Sequence, residues 1–228
     1  MISGKKVAVV VAHPDDEILA FGGTMCRHAD ADDKVSVLYL STGLAARSVD
    51  GQVSRDEIRR LREAAKAAAD IIGISHMEFA DFPDNRMDTV ALLDVIKRVE
   101  AFIDSSAAEI VYTHYVGDLN IDHSITARAV LTACRPVPGT RVRKIYAGEV
   151  LSSSEYALPQ DRFRPTSYVG IADYLERKRT ALECYTTEVR DWPHPRSIEG
   201  IATLARLRGS ECGLEAAEAF TLLREVRA

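Results

Sequence analysis

The sequence has no cysteine pair, no long apolar run and no excess of positive charge. Its four cysteines, Cys26, Cys134, Cys184 and Cys212, are widely spaced and form no C-x-x-C. That excludes a cysteine-built zinc cage and a disulfide framework, and leaves reduced thiols, mostly in the core. No stretch approaches the apolar length needed to cross a bilayer, so membrane insertion is not expected. The segment MISGKK runs straight into a strand without a signal-peptide apolar region, and the expected location is cytoplasmic. With 29 Lys and Arg against 34 Asp and Glu, the net charge is -5, which argues against a nucleic-acid surface while allowing a local phosphate patch. Repeats, low-complexity tracts and Ser/Gly/Pro linkers are also lacking. At 228 residues and 46% hydrophobic, the chain can bury the core of one α/β domain.

What is present is concentrated in one stretch, Val7 to Thr24, VAVVVAHPDDEILAFGGT. Val7 to Ala12 is short, largely β-branched, and apolar on both alternating faces, the pattern of a strand covered on both sides in a parallel sheet. Such a strand delivers its next residues to the carboxyl edge, where open α/β sheets bind ligands. Here it delivers His13, Asp15, Asp16 and Glu17, with Pro14 restricting the backbone between them. A polar turn with one Asp as helix cap is the bland alternative. A cap needs one carboxylate, however, and the others repel one another unless a cation is present. A divalent ion bound by His and Asp fits, and its third protein ligand must come from elsewhere in the chain. The run is not followed by a glycine-rich turn, and clustered carboxylates repel phosphate, which disfavours a nucleotide-binding module without chemistry.

The rest of the chain repeats strand, polar loop and helix at roughly thirty-residue spacing, the rhythm of a doubly wound, Rossmann-like, mostly parallel sheet flanked by helices. Val35 to Leu40 is a second buried strand ending at Ser41-Thr42-Gly43. Leu44 to Val53 has no periodicity and reads as a loop over the site. Ser54 and Glu57 form a capping box for a long helix closed by Gly73, and Arg55 in its first turn faces back toward the ligand edge. Ile74 to Phe79 is the third strand, followed by the acidic loop carrying Asp84 and Asn85. A helix opens at Asp88 or Thr89 and runs to about Asp104; Glu109 to Thr113 is the fourth strand. It ends at His114, and the loop from Tyr115 to His123 carries Asp118, Asn120 and Asp122. Asp122 sits where an N-cap belongs, making His123 the first helical residue and a suitable third ligand. Asp122 either caps or accepts from the ring of a metal-bound histidine. Beyond residue 140 the character changes: a strand at Lys144 to Val150, helices at Ala172 to Cys184 and Ile198 to Leu207, and a segment Ala217 to Arg224 that periodicity leaves between helix and strand. We therefore expect one domain over residues 1–228, with a doubly wound core to 140 and a smaller strand and helix extension, 141–228, completing the sheet and the substrate loops. In that extension Trp192 and Arg196 are the types that stack on a sugar face and grip carboxylate or phosphate, although Trp192 can equally be a core anchor.

These residues carry a family resemblance. His13-Pro14-Asp15-Asp16-Glu17 after the first strand, Gly22-Gly23-Thr24, and Asp122-His123 resemble the deacetylase family of N-acetylglucosaminyl-phosphatidylinositol de-N-acetylase and LmbE-like proteins, which includes enzymes of mycothiol and bacillithiol synthesis and antibiotic-sugar deacetylases. The resemblance extends through Glu149, Ser152 to Glu155, Lys178 to Tyr185, Pro193 to Ser197, Arg208-Gly209 and Ala217 to Phe220, essentially the whole chain. It implies zinc, or another divalent ion such as Fe2+, on His13, Asp16 and His123, with Asp15 as general base, acting on an N-acetylated amino sugar or a small conjugate of one. It tips Ala217 to Arg224 toward a closing strand. One departure stands out: the family's second motif resembles His-Pro-Asp-His, and its extra histidine is Asn120 here. An amide donates a hydrogen bond but does not shuttle a proton. Asn120 then acts as an oxyanion donor, or a histidine from elsewhere takes the proton, His194 first and His114 second. Asp118 is a further candidate contact. The rivals are a metal-dependent amidase of the same fold on a non-sugar acyl group, and a metal-binding protein without catalysis. The sequence leaves homo-oligomerisation open.

Overall fold

The computed structural model describes residues 4–44 and 53–227. Most of the loop expected over the site, between Leu44 and Val53, lies outside the described residues. The fully apolar run forms strand β1, Lys6–Val11, and its alternation feeds two cores. Val7, Val9 and Val11 pack into one cluster, Ala8 and Val10 into another on the opposite face. The first cluster is closed by helices α1 (Asp16–Asp30), α2 (Arg55–Ile72), α5 (Leu175–Glu183) and α6 (Ile198–Cys212), and the second by α3 (Leu92–Ser106) and α4 (Ile121–Ala133).

The other strands are β2 (Lys34–Ser41), β3 (His76–Phe82), β4 (Ile110–His114), β5 (Lys144–Gly148), β6 (Ser167–Gly170) and β7 (Ala217–Glu225). They form one seven-stranded sheet in the order β3-β2-β1-β4-β5-β7-β6. The first five are parallel, and β7 runs antiparallel to both β5 and β6. The expected mostly parallel, Rossmann-like sheet is thus present, and the undecided segment at 217 is its inserted strand. Strand order reverses between β1 and β4, and a crevice opens there at the carboxyl edge. His13 follows one of those strands and His114 ends the other.

Local chemistry explains where the elements start. Helix α2 has the expected capping box between Ser54 and Glu57, and Gly73 closes it at φ 91°. Helix α3 starts later than Asp88 because a short 3-10 turn, Met87–Thr89, intervenes. The Asn85 and Met87 N–H groups donate to the Asp122 carboxylate instead of entering a helix. Helix α5 likewise follows a separate turn at Ala172–Tyr174, and α6 runs on past Leu207 to Cys212, where Gly213 at φ 76° ends it. Helix α4 is capped by Asn120, whose side chain accepts from Asp122 N–H at 2.9 Å. Asp122 is therefore inside the first turn rather than at the cap, and its carboxylate is free to face β1.

The C-terminal strand is tied to α1 by a buried ion pair. Lys178 Nζ donates to Glu218 Oε1 (2.7 Å) and to the Leu19 carbonyl (2.8 Å), while Glu218 accepts from Gly23 and Thr24 N–H at 2.8 and 2.7 Å. The glycines here make the approach possible: a Cβ on Gly23 would stand 2.7 Å from the Ile171 side chain, and one on Gly22 3.0 Å from the Lys178 stem.

Candidate metal centre and active site

Three histidines and five aspartates meet at the crevice, all of them buried. His13 comes from the end of β1, Asp16 from the start of α1, His123 from the first turn of α4. One atom from each of these three lies within 4.8 Å of the others. His13 Nδ1 and His123 Nε2 are each 3.3 Å from Asp16 Oδ2. His123 Nε2 is nevertheless buried without a hydrogen-bond partner among the described residues. The nitrogen and the oxygen are close but form no hydrogen bond with each other. That geometry, with a His-Asp-His donor set, fits a divalent cation.

Each candidate ligand histidine is backed by carboxylate on its other nitrogen. His13 Nε2 stands 3.2 Å from both Asp84 Oδ1 and Asp122 Oδ2. His123 Nδ1 is 3.2 Å from Asp118 Oδ1. Such carboxylates fix the ring and its tautomer so that the opposite nitrogen is available to a metal. Asp118 is in turn held by the Ser153 hydroxyl at 3.0 Å and by that of Ser154, both from the loop after β5. His114 stacks on His123 with ring centroids 3.9 Å apart, and its Nε2 accepts the Ala12 N–H at 2.8 Å.

The electrostatics of the cluster are those of imidazoles facing carboxylates. Burial opposes charge on His13, but hydrogen bonds to Asp122, Asp16 and Asp84 prevail and hold its pKa well above the ordinary value. For His123, burial is likewise outweighed, by the charge of Asp16 and its bond to Asp118, and the pKa rises to about 9. Burial pushes Asp16 up, yet the charges of His123 and His114 bring it well below the usual carboxylate range. His114 moves the other way, to about 3, through burial and the repulsion of His123. Asp15 is raised well above the ordinary range by burial and by Asp16 and Glu188, against the pull of Arg196.

Asp15 sits beside the donor set with φ 117°, a conformation rare outside glycine. Its N–H donates to Glu17 Oε2 (2.9 Å), and its Oδ2 accepts from Arg196 Nη1 (3.2 Å). Both Asp15 and Arg196 line a cavity of about 230 Å3 with His13, Asp16, His123, Asn85, Asn120, Ser153 and Glu188. Asn120 turns its Nδ2 toward Asn85 Oδ1 at 3.3 Å. Of the other residues singled out in the sequence, Asp84 and Asp118 lie behind the histidines rather than on the cavity wall. His194 is outside the wall too, accepting the Arg196 N–H on Nδ1 at 3.1 Å. Arg55 is exposed at the start of α2 and Trp192 is 55% exposed, so Trp192 is not a core anchor, and neither lines the cavity. Sequence reasoning missed Glu188, which stands in a stretch with no periodicity or motif. It also missed the support given to Asp118 by Ser153 and Ser154.

The fold agrees with that of known proteins. The family described as PIG-L, GlcNAc-PI de-N-acetylase, matches residues 8–134, more than half of the chain. The chain belongs to the PIG-L family. Among similar proteins, a 4-oxalmesaconate hydratase of Pseudomonas putida is 28% identical over 207 residues, covering 83% of this chain and 76% of that protein. A probable N-acetyl-alpha-D-glucosaminyl L-malate deacetylase 2 of Bacillus cereus is 26% identical over 188 residues, covering 81% and 84%. The conserved protein TT1542 of Thermus thermophilus has the same fold, with a TM-score of 0.79 at 20% identity over 98% of this chain and 97% of that one.

Proposed function

We propose that this protein is a metal-dependent hydrolase that removes the N-acetyl group from an amino sugar or a small sugar conjugate. The observation that carries the reading is the clustering of His13, Asp16 and His123, whose Nε2 has no partner among the described residues, beside the carboxylate of Asp15 in one cavity. His13, Asp16 and His123 would hold zinc, or another divalent ion such as iron. A bound ion supplies Lewis acidity and lowers the pKa of water to about 7. Asp15 takes the proton of the attacking water and returns it to the leaving amine. Asn120 offers its amide N–H to the carbonyl oxygen as charge develops there. Asp84, Asp122 and Asp118 orient the two histidine rings, and Ser152, Ser153 and Asn85 offer hydrogen bonds to sugar hydroxyls. Arg55 and Trp192, outside the cavity, are left to contact the more distant part of a conjugate.

The hydratase relative carries a second reading, water addition to an unsaturated acid. Its substrate is by name a polycarboxylate. Among the described residues Arg196 is the only lysine or arginine on the cavity wall, and Asp15 and Glu188 already hold it. That charge balance favours a neutral, hydroxylated substrate. The test is amine release from a panel of N-acetylated amino sugars, run beside loss of ultraviolet absorbance from conjugated unsaturated carboxylic acids, each with and without chelator. Chelator-sensitive amine release supports the deacetylase; chelator-sensitive absorbance loss with no amine replaces it with the hydratase. Activity indifferent to chelator overturns both.

A further inference from the structure

We propose that Arg196, braced by Glu188, is a positioning residue for Asp15, so that the segment between α5 and α6 sets the geometry of the proton-transferring carboxylate. This rests on the reading of Asp15 as the base. The observation is a closed ring of hydrogen bonds. Asp15 N–H donates to Glu17 Oε2 (2.9 Å), and the Tyr185 hydroxyl donates to Glu17 Oε1 (2.5 Å). Glu188 N–H donates to the Tyr185 carbonyl (2.8 Å). Arg196 Nη1 then donates to both Glu188 Oε2 (3.1 Å) and Asp15 Oδ2 (3.2 Å), which closes the ring on the residue where it began.

The ring grips Asp15 at both ends, by its backbone through Glu17 and by its carboxylate through Arg196. An aspartate at φ 117° relaxes unless its surroundings hold it, and no helix-cap bond from its own side chain does so here. Arg196 is itself fixed. Its N–H donates to His194 Nδ1 (3.1 Å), its carbonyl accepts from Arg190 N–H (3.3 Å), and the next residue, Ser197, caps α6 by accepting from Gly200 N–H (2.9 Å). Glu188 is 3% exposed, so withdrawing the guanidinium would remove the cation that faces two buried carboxylates at once. Both bonds leave one nitrogen, Nη1, held at the far end of a rigid planar group, and a lysine ammonium ends one bond short of that point.

The competing role for Arg196 is substrate binding. Its side chain lines the cavity, and its Nε–H is buried without a partner among the described residues. The two roles separate in kinetics: an orienter of the base acts on kcat, a ground-state substrate contact on KM. The experiment measures both on a panel sugar that the wild type hydrolyses, for Arg196→Ala, Arg196→Lys and Glu188→Gln, with metal content assayed on each. Misplacing a catalytic group by an ångström lowers rate by about 100-fold. We expect that loss of kcat in Arg196→Ala, with KM within about 3-fold of wild type and metal content unchanged, and partial recovery on adding methylguanidinium. Arg196→Lys should remain impaired, and Glu188→Gln should fall by about 10-fold.

Unchanged kcat with a raised KM in Arg196→Ala makes the arginine a substrate contact and overturns the proposal. If that variant does not fold, wild-type kcat in both Arg196→Lys and Glu188→Gln overturns it equally. Asp15→Asn at near-wild-type rate would instead sink the base assignment while leaving the ring a structural fact. A wild type that releases amine from no sugar removes the functional reading, and this inference falls with it.

Discussion

Removing one partner of the Lys178–Glu218 pair should be among the most destabilising single changes in the chain. Lys178 is 3% exposed and Glu218 5%. Together they engage the Leu19 carbonyl and the Gly23 and Thr24 N–H groups, both ends of one turn of α1, and link α5 and β7 to it. Lys178→Met keeps most of the apolar stem but leaves the Glu218 charge buried against two amide donors only. Glu218→Gln leaves the ammonium without its counter-charge and gives the two N–H groups one acceptor in place of two. Breaking a buried pair from one side is worth about 3–5 kcal/mol, against a total of about 5–15 kcal/mol for a typical domain. At about 2–4 °C per kcal/mol for a chain of this size, Tm should drop by roughly 6–20 °C. The double variant Lys178→Met, Glu218→Gln strands no charge and keeps an acceptor for Gly23, so it should be more stable than the sum of the singles predicts. Urea unfolding followed by circular dichroism on all four proteins gives the coupling energy. Single losses below about 1 kcal/mol, or strictly additive ones, would refute the argument that this pair locks the closing strand to α1.

Other consequences can be checked alongside. Gly23→Ala places a Cβ 2.7 Å from buried Ile171, and overpacking of this kind should lower stability by about 1–3 kcal/mol in the same unfolding assay. Asp118→Ala removes the carboxylate behind His123 Nδ1 and should weaken zinc binding by about 10–100-fold in a chelator competition, with a smaller loss for Ser153→Ala. Asp15→Asn should bind metal normally yet lose orders of magnitude in amine release; near-normal turnover would exclude Asp15 as the base.

Much of this arrangement was legible in the residues. An uninterrupted apolar run rich in valine has to be covered on both faces, which put β1 inside a parallel sheet, and His13, Asp15 and Asp16 had to emerge at the carboxyl edge. The periodicity of later segments brought Asp84, Asn85, Asp118, Asn120 and His123 to that edge as well. What local pattern could not decide was the choice between equivalent groups. Asn120 and Asp122 are both good helix caps; Asn120 takes the cap because Asn85 and Met87, distant in sequence, supply donors that draw the Asp122 carboxylate away. The same contacts delay α3. Glu188 and Arg196 meet only because a loop returns from α5 to the start of α6, and no periodicity records such a return. His194 looked like a proton carrier by type, whereas its ring nitrogen holds the backbone of Arg196.

The most direct test is the metal stoichiometry of purified wild type beside His13→Ala and His123→Ala, read by inductively coupled plasma mass spectrometry after saturation with zinc and desalting. The account predicts close to one equivalent in wild type and essentially none in either variant, with both variants still folded by circular dichroism. A folded wild type that retains no metal, or variants that retain it at full occupancy, would contradict the assignment of His13, Asp16 and His123 as the centre of this protein's chemistry.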